Sequence, residues 1–179
     1  SVSFGQTCPA IFDATLEMNI NVATLNGATL PTSSIEQVCI DFAQLISGNF
    51  NDYGVSLLCP DGTSITLANP GDFTGSQLNN VCFDMSTASY VSSGASPYTG
   101  SWLPVDPFTN LNGCTANGVY TLQFTATYDF SSGAPSQIPT GFLNGWNITF
   151  DDPPIYAPVD ISWSPTTGLS NPTSINTDA

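Results

Sequence analysis

Two stretches of this chain alternate strictly between apolar and polar residues, and each begins directly after an Asn-Gly pair. A period of two residues predicts a β-strand that buries one face, and Asn-Gly is a strong turn signal. The apolar members are Tyr120, Leu122, Phe124, Ala126 and Tyr128 in the first stretch, and Trp146, Ile148 and Phe150 in the second. We expect these two strands to close an antiparallel sandwich.

Two alternating segments come earlier in the chain. Residues 17–22 alternate and lead to Asn26-Gly27, which predicts a hairpin-type turn. Residues 35–42 also alternate, and they place Ile40 and Phe42 on the same face. Both segments are predicted to be half-buried strands.

A tight hairpin is predicted over residues 52–67. Its turn is Pro60-Asp61-Gly62, which supplies a preset φ, a side-chain-capped turn and a residue that tolerates positive φ. A short strand follows at 81–85, and long irregular connections are expected at 92–107 and 131–141. No long stretch has a 3.6-residue period with helix caps. The sequence therefore predicts an all-β fold, an antiparallel two-sheet jelly roll or β-sandwich with an extended C-terminal segment.

The length of 179 residues accommodates one domain of ordinary size and a tail. We expect a lead-in at 1–14, the jelly roll at 15–152, a stiff proline-rich linker at 153–158 and a separate segment at 159–179. The last segment is too short to form a hydrophobic core of its own.

The chain contains no Lys, Arg or His, and its net charge is −14. Without cations, binding to nucleic acid or to an anionic membrane surface is not expected. A Ser-His-Asp triad, a Cys-His pair, a Schiff-base lysine and a His-ligated zinc site cannot be built from these residues. Catalysis by a carboxylate pair stays open chemically, but Glu17 and Glu36 lie in no distinctive setting, so we expect no enzymatic activity.

Five cysteines are dispersed along the chain rather than arranged as Cys-x-x-Cys pairs. This spacing, in the absence of His, favours disulfides formed in an oxidising compartment over a metal site. The odd number leaves one cysteine unpaired or intermolecular. No apolar run approaches the length of a transmembrane helix. We therefore expect a mature extracellular or cell-surface protein whose signal peptide has been removed.

A series of short motifs follows in a characteristic order. The motifs are Asp52-Tyr53-Gly54-Val55-Ser56-Leu57, Cys59-Pro60-Asp61-Gly62-Thr63, Cys82-Phe83-Asp84, Tyr98-Thr99-Gly100-Ser101-Trp102-Leu103-Pro104, Asn112-Gly113, Asn117-Gly118-Val119-Tyr120-Thr121-Leu122 and Leu143-Asn144-Gly145-Trp146-Asn147-Ile148. Together they resemble the proprotein convertase P-domain (P/Homo B), a β jelly roll, over roughly residues 15–152. The chain departs from that family at Tyr120, where the family usually has Trp, and its cysteines are additional.

The resemblance implies a non-catalytic module. In that family the domain either follows and stabilises a subtilisin-like protease or forms part of large secreted bacterial proteins that lack a protease. It also implies a Ca²⁺ site, because Asp52 and Asp84 match acidic positions of the family pattern. Asp41 alternates outward on a neighbouring strand and can join them, with Asn side chains and loop carbonyls completing the coordination.

The same resemblance bears on the disulfides. Cys59 and Cys82 fall on adjacent strands of the resembled fold, and we expect a bond between them. A second bond would then join Cys114 to either Cys8 or Cys39.

The C-terminal segment carries a second resemblance. Its residues 163–172, Trp-Ser-Pro-Thr-Thr-Gly-Leu-Ser-Asn-Pro, are similar to the opening of Ig-like repeats in surface and gliding-associated proteins of Bacteroidota. Either the native chain continues beyond Ala179, or this segment completes the sheet of a neighbour by strand addition. The implied partners are other surface-protein modules or further copies of the chain in a filament.

The leading functional expectation is a structural or adhesive module of a secreted or cell-surface bacterial protein. Two alternatives stay open. One is a carbohydrate-binding module that stacks a glycan on Trp102, which lies in the predicted loop 92–107. The other is the stabilising P-domain of a secreted subtilisin-like protease.

Overall fold

Two β-sheets packed face to face make up the fold. The computed structural model describes residues 1–7, 10–11, 14–127 and 140–155. The strands are β1 (Val2–Gln6), β2 (Ala10–Ile11), β3 (Thr15–Val22), β4 (Ser34–Ser47), β5 (Tyr53–Leu58), β6 (Ser64–Ala68), β7 (Gln77–Asp84), β8 (Tyr98–Trp102), β9 (Gly118–Ala126) and β10 (Thr140–Asp151). Short 3-10 helices cover Phe50–Asp52, Val91–Ser93 and Phe108–Leu111. The predicted all-β sandwich is confirmed.

Each sheet has a defined strand order. Sheet A runs β1-β10-β4-β7-β8, with β2 also paired to β10, and sheet B runs β3-β9-β5-β6. All the pairs are antiparallel except β7 with β8, which are parallel. The predicted antiparallel arrangement therefore holds except at one edge of sheet A. Among the described residues, no helix is long and apolar enough to cross a membrane.

The two strongly alternating stretches form β9 and β10, as predicted, but they lie in different sheets. Tyr120 of β9 and Trp146 and Phe150 of β10 are fully buried between the sheets. The rings of Tyr120 and Phe150 meet edge to face with their centroids 5.5 Å apart. Contacts of this kind hold the two sheets together across the core. Tyr128, which the pattern placed on the same face, lies outside the described residues.

Strand β4 is 14 residues long and extends well beyond the strand predicted at 35–42. Its pairing with β10 shifts register on both sides of Gly145, and such bulges change which side chains face the core. Phe42 is consequently only half-buried, and its ring centroid lies 5.9 Å from that of Phe142. The prediction that Phe42 shares the buried face of Ile40 is wrong.

Asn26-Gly27 does not form the predicted hairpin turn. The strand before it, β3, pairs with β9 along its whole length, so β3 and the next strand along the chain are in different sheets. The loop that contains Asn26-Gly27 instead carries the chain from sheet B to sheet A.

The hairpin predicted over 52–67 is confirmed as β5 and β6, with Gly62 in the turn at a φ of 87°. Two segments expected to be irregular contain strands. The lead-in at 1–14 contributes β1 and β2 to sheet A, and the connection at 92–107 contributes β8. A sequence pattern of alternation does not reveal strands this short at a sheet edge.

The disulfides are Cys39–Cys82 and Cys59–Cys114. The expected Cys59–Cys82 bond is wrong, and so is the pairing of Cys114 with Cys8 or Cys39. The reason is topological: Cys82 on β7 lies directly opposite Cys39 on β4 in sheet A, whereas Cys59 follows β5 in sheet B. Two disulfides indicate folding in an oxidising environment.

The two bonds occupy different parts of the sandwich. Cys59 and Cys114 belong to the hydrophobic core. Cys39 stands between Val38 and Ile40, which are both fully buried, so the alternation of the strand directs Cys39 to the outer face of sheet A. One disulfide therefore crosslinks core segments, while the other joins two strands on an outer face.

Candidate functional site

The three carboxylates expected to bind Ca²⁺ lie on separate elements. Asp41 stands on the outward side of β4, half-buried, and its Oδ1 accepts a hydrogen bond of 2.8 Å from Asn147 Nδ2 on β10. This contact joins two neighbouring strands of sheet A across the bulge beside Gly145. A Cβ at Gly145 would clash with Gln6 O and lie 2.8 Å from Asp41 Oδ2, so glycine is required for this close approach.

Asp52 and Asp84 end two other elements. Asp52 is the last residue of a 3-10 helix in front of β5, and its main-chain oxygen accepts hydrogen bonds from Thr127 N and Thr127 Oγ1. Asp84 is the last residue of β7, and its Oδ1 accepts a bond of 2.7 Å from Ser86 N. Asp84 therefore caps the turn that follows its strand.

Within the described part of the chain, Asp41, Asp52 and Asp84 do not form a group of metal-ligating atoms within 4.8 Å of one another. The structure does bring together Cys59, Asp61 and Cys114 within that distance. Because the two cysteines are bonded to each other, they cannot supply thiolate ligands. This cluster is a carboxylate against a disulfide.

Asp61 occupies the turn between β5 and β6, as the sequence predicts. Its Oδ1 accepts a hydrogen bond of 2.8 Å from Thr63 N, and this bond, together with one from the Thr63 side chain, lowers the pKa of Asp61. The same oxygen lies 2.8 Å from Cys59 Sγ and 3.4 Å from Cys114 Sγ. A disulfide sulfur carries no proton, so these are contacts of a fixed negative charge with the disulfide.

Tyr120 links the same region to the core. Burial raises the pKa of its phenol, and the negative charge of Asp61 raises it further. The hydroxyl lies 3.2 Å from both Thr115 O and Ala116 O and donates to these carbonyls. The protonated phenol therefore fixes the segment after Cys114 against β9.

Asp152 makes the most extensive hydrogen-bond network of any carboxylate described. It accepts bonds from Asn26 N, from Gly27 N and, at 2.5 Å, from the buried hydroxyl of Ser33. Asn26 Nδ2 also donates to Pro153 O. Desolvation alone would raise the pKa of Asp152, but these hydrogen bonds outweigh it and lower the pKa. Asp152 thus fastens the end of β10 to the loop between β3 and β4.

A carboxylate also covers an edge of sheet B. Asp106 Oδ2 accepts a hydrogen bond of 2.8 Å from Thr66 N on the edge strand β6. Two main-chain hydrogen bonds lie beside it: Val105 N donates to Leu67 O, and Asp106 N donates to Thr66 O. Covering the edge strand in this way protects it from pairing with another chain.

Trp102, the expected glycan-stacking residue, ends strand β8 and does not lie in a loop. Its side chain is partly buried against the core, and its Nε1 donates to Thr99 O at 3.1 Å. The ring meets Tyr98 edge to face at 6.1 Å between centroids, and a Cβ at Gly94 would lie 2.7 Å from Trp102 Cη2. The indole is thus engaged in packing on several sides.

Sequence reasoning found the position of Asp61 and missed the role of Asp152. Turn chemistry identifies Asp61 because Thr63, whose main-chain amide donates to its carboxylate, is only two residues away. The partners of Asp152 are more than 100 residues away along the chain, and no spacing rule indicates them.

The chain was compared with known proteins. No protein-family model matches it, and no curated protein matches it either.

Proposed function

We propose that this chain is a non-catalytic structural or adhesive module of a secreted or cell-surface bacterial protein. One observation carries the proposal: four of the described carboxylates hold loops and strand ends in place. Asp61, Asp84, Asp106 and Asp152 each accept hydrogen bonds from main-chain amides. Because the chain has no Lys, Arg or His, side-chain salt bridges cannot form, and these amides stabilise the carboxylates instead.

The placement of the first and last described strands supports a module that transmits attachment. β1 and β10 lie side by side and antiparallel, with Val2 opposite Phe150, so the chain enters and leaves sheet A at the same end. The network around Asp152 then fixes the direction in which the chain leaves. Pro153 and Pro154 follow and restrict the backbone further.

The two disulfides support a location outside the cytoplasm, where thiols are oxidised and proteases are common. The resemblances to the P-domain and to Bacteroidota surface repeats support the same location. We extend the proposal to assembly: residues 159–179 join the module to neighbouring surface modules or to further copies by strand addition.

Adhesion is tested by displaying the whole chain on a non-adherent laboratory bacterium. We expect the cells to attach to each other, to other cells or to a solid support more than cells that display the chain with all four disulfide cysteines replaced by Ala. The matched control keeps length and charge but lacks the crosslinks. Equal attachment of both strains on every surface would contradict an adhesive role.

Assembly is tested on the purified protein by light scattering and electron microscopy. We expect ordered polymers from the whole chain and none after deletion of 159–179. Polymers that persist after the deletion would place the contact elsewhere, and a chain that stays monomeric at high concentration would contradict self-assembly.

A further inference from the structure

Two cavities lie side by side at the end of the sandwich where β4 begins and β7 ends. The larger has a volume of about 480 Å³ and the smaller of about 120 Å³. Ile35 and Met85 line both, so the two cavities adjoin, and we call the pair the Met85 groove. The volume of the larger cavity falls in the range of ligand sites, about 300–1,000 Å³.

The larger half of the groove is acidic. Glu36 and Asp84 line it together with Gln37 and Ser86. The hydrogen bond from Ser86 N to Asp84 Oδ1 fixes the orientation of that carboxylate. Because the chain has no Lys, Arg or His, neither carboxylate can pair with a side-chain cation of its own chain.

The smaller half is apolar. Leu30 and Phe108 form part of its wall, and both belong to the hydrophobic core, so the wall is held in place. Met85 is 45% exposed between the two halves, and its flexible thioether can adapt to a bound group. A dry protein cavity of about 150 Å³ can bind benzene, so a volume near 120 Å³ accommodates about one aliphatic side chain.

We propose that the Met85 groove binds a segment of another protein in which an apolar side chain stands next to a Lys or Arg. The apolar side chain enters the smaller half, and the cation faces Glu36 and Asp84. In an extended strand adjacent side chains point to opposite faces, so the segment binds with a turn between the two residues. Their Cα atoms are then about 3.8 Å apart, and the long stem of Lys or Arg lets the two side chains reach the adjoining subsites. A second copy of this chain cannot be the partner, because it carries a net charge of −14 and supplies no basic side chain.

This inference rests on the proposed adhesive function and names the chemistry of its partner. It also distinguishes the partner from a glycan, which would not supply a fixed cation. The contact is expected to be weak for one groove, with a dissociation constant in the millimolar range for a short peptide. Adhesion would then come from many copies acting together.

The test is an NMR titration of the nitrogen-15-labelled full chain with three capped dipeptides, acetyl-Leu-Lys-amide, acetyl-Leu-Gln-amide and acetyl-Gly-Lys-amide. We expect the first to shift the amide resonances of Met85 and Ser86 saturably. It should bind about fivefold more tightly than either of the others, since it alone fills both halves. Equal binding of the Leu-Lys and Leu-Gln peptides, or no saturable shift at these residues, would overturn the proposal.

A pair of substitutions tests the acidic half directly. Glu36→Gln with Asp84→Asn should weaken the Leu-Lys peptide about fivefold and leave the Leu-Gln peptide unchanged. The amide that replaces the Asp84 carboxylate keeps an oxygen for Ser86 N, so the turn is retained. The matched control is Glu17→Gln with Asp72→Asn, which removes the same charge away from the groove and should change neither affinity.

A measurement on the wild-type protein tests the same electrostatic contact without relying on the folding of any variant. Raising the salt concentration should weaken the Leu-Lys peptide and leave the Leu-Gln peptide unchanged, because only the former uses a screened charge. If Glu17→Gln with Asp72→Asn weakens the Leu-Lys peptide as much as the groove substitutions do, the net charge rather than the groove attracts the peptide, and the proposal is overturned. If cells that display the chain with the groove substitutions attach as well as cells that display the wild type, the groove is not the binding site, although the adhesive function still stands.

Discussion

Removing the disulfides one at a time should lower the free energy of unfolding by unequal amounts. Cys39–Cys82 closes a loop of 43 residues and Cys59–Cys114 a loop of 55 residues. The loss of chain entropy that such loops impose on the unfolded state is worth about 4 kcal/mol for each bond, and the difference between the two lengths is only a few tenths. Loop length alone therefore predicts nearly equal effects.

The position of each bond makes the difference. Cys59 and Cys114 are 3% and 2% exposed and belong to the core, so Cys→Ala changes there also leave unfilled volume. That costs roughly a further 1–3 kcal/mol. Cys39 and Cys82 are also buried, at 4% and 8% exposed, but they lie on the outer face of sheet A and outside the core cluster, so their removal should leave less unfilled volume. We expect C59A/C114A to be destabilised by about 5–7 kcal/mol and C39A/C82A by about 4–5 kcal/mol.

The assay is guanidinium unfolding followed by tryptophan fluorescence without reductant. All variants carry Cys8→Ala, so that the fifth cysteine cannot exchange with the bonds. An equal or larger loss in C39A/C82A would refute the assignment of the two bonds to outer face and core. The pairing itself is checked by counting thiols in denaturant: C39A/C82A should show none, whereas C59A/C82A should show two, from Cys39 and Cys114.

Four other expectations follow from particular residues and from composition. The pKa of Asp152 is lowered in the folded state, so its contribution to stability is present above the pKa of an unfolded aspartate, about 3.9, and is lost as the pH falls through the lower folded value. The melting temperatures of the wild type and Asp152→Asn should therefore differ at neutral pH and converge in acid. A difference that widens in acid would contradict the hydrogen-bond network. Trp102→Ala should lower the free energy of unfolding by roughly 2 kcal/mol because the indole packs against the core. If the variant instead keeps its stability and loses binding to a glycan array, the carbohydrate-binding alternative is favoured. Because the metal-ligating atoms of Asp41, Asp52 and Asp84 do not lie within 4.8 Å of one another, chelation at fixed ionic strength should leave the melting temperature unchanged, and a clear drop would favour the Ca²⁺ hypothesis. Trypsin should leave the reduced, denatured chain uncut because it contains no Lys or Arg, and mass spectrometry would show any cleavage.

The strands were predictable wherever alternation is strict and long. Tyr120 and Trp146 are buried as expected because a period of two residues fixes the face on which a side chain lies, whichever strand pairs with it. The turn at Asp61 was predictable for a similar reason, since its hydrogen bonds are made to residues nearby in the chain. Local chemistry was sufficient at these positions.

The candidate site was less predictable than the fold. Asp52 and Asp84 were grouped through a family resemblance and Asp41 was added from its position on a strand, and within the described residues the three make separate contacts. Trp102 was expected in a loop because its flanking residues are irregular, yet it ends a parallel edge strand. Whether a polar or aromatic side chain is available to a ligand depends on what folds against it.

Residue alternation and composition were enough to predict a β-sandwich that has no basic side chains, because both are properties of neighbouring residues and of residue counts. Which strands share a sheet, and therefore which cysteines pair, depends on tertiary packing. Tertiary packing also decided where the bulge beside Gly145 turns Phe42 away from the core, and which loop Asp152 fastens. These outcomes depend on contacts between segments far apart in the chain, whose register is set only when the two sheets pack together.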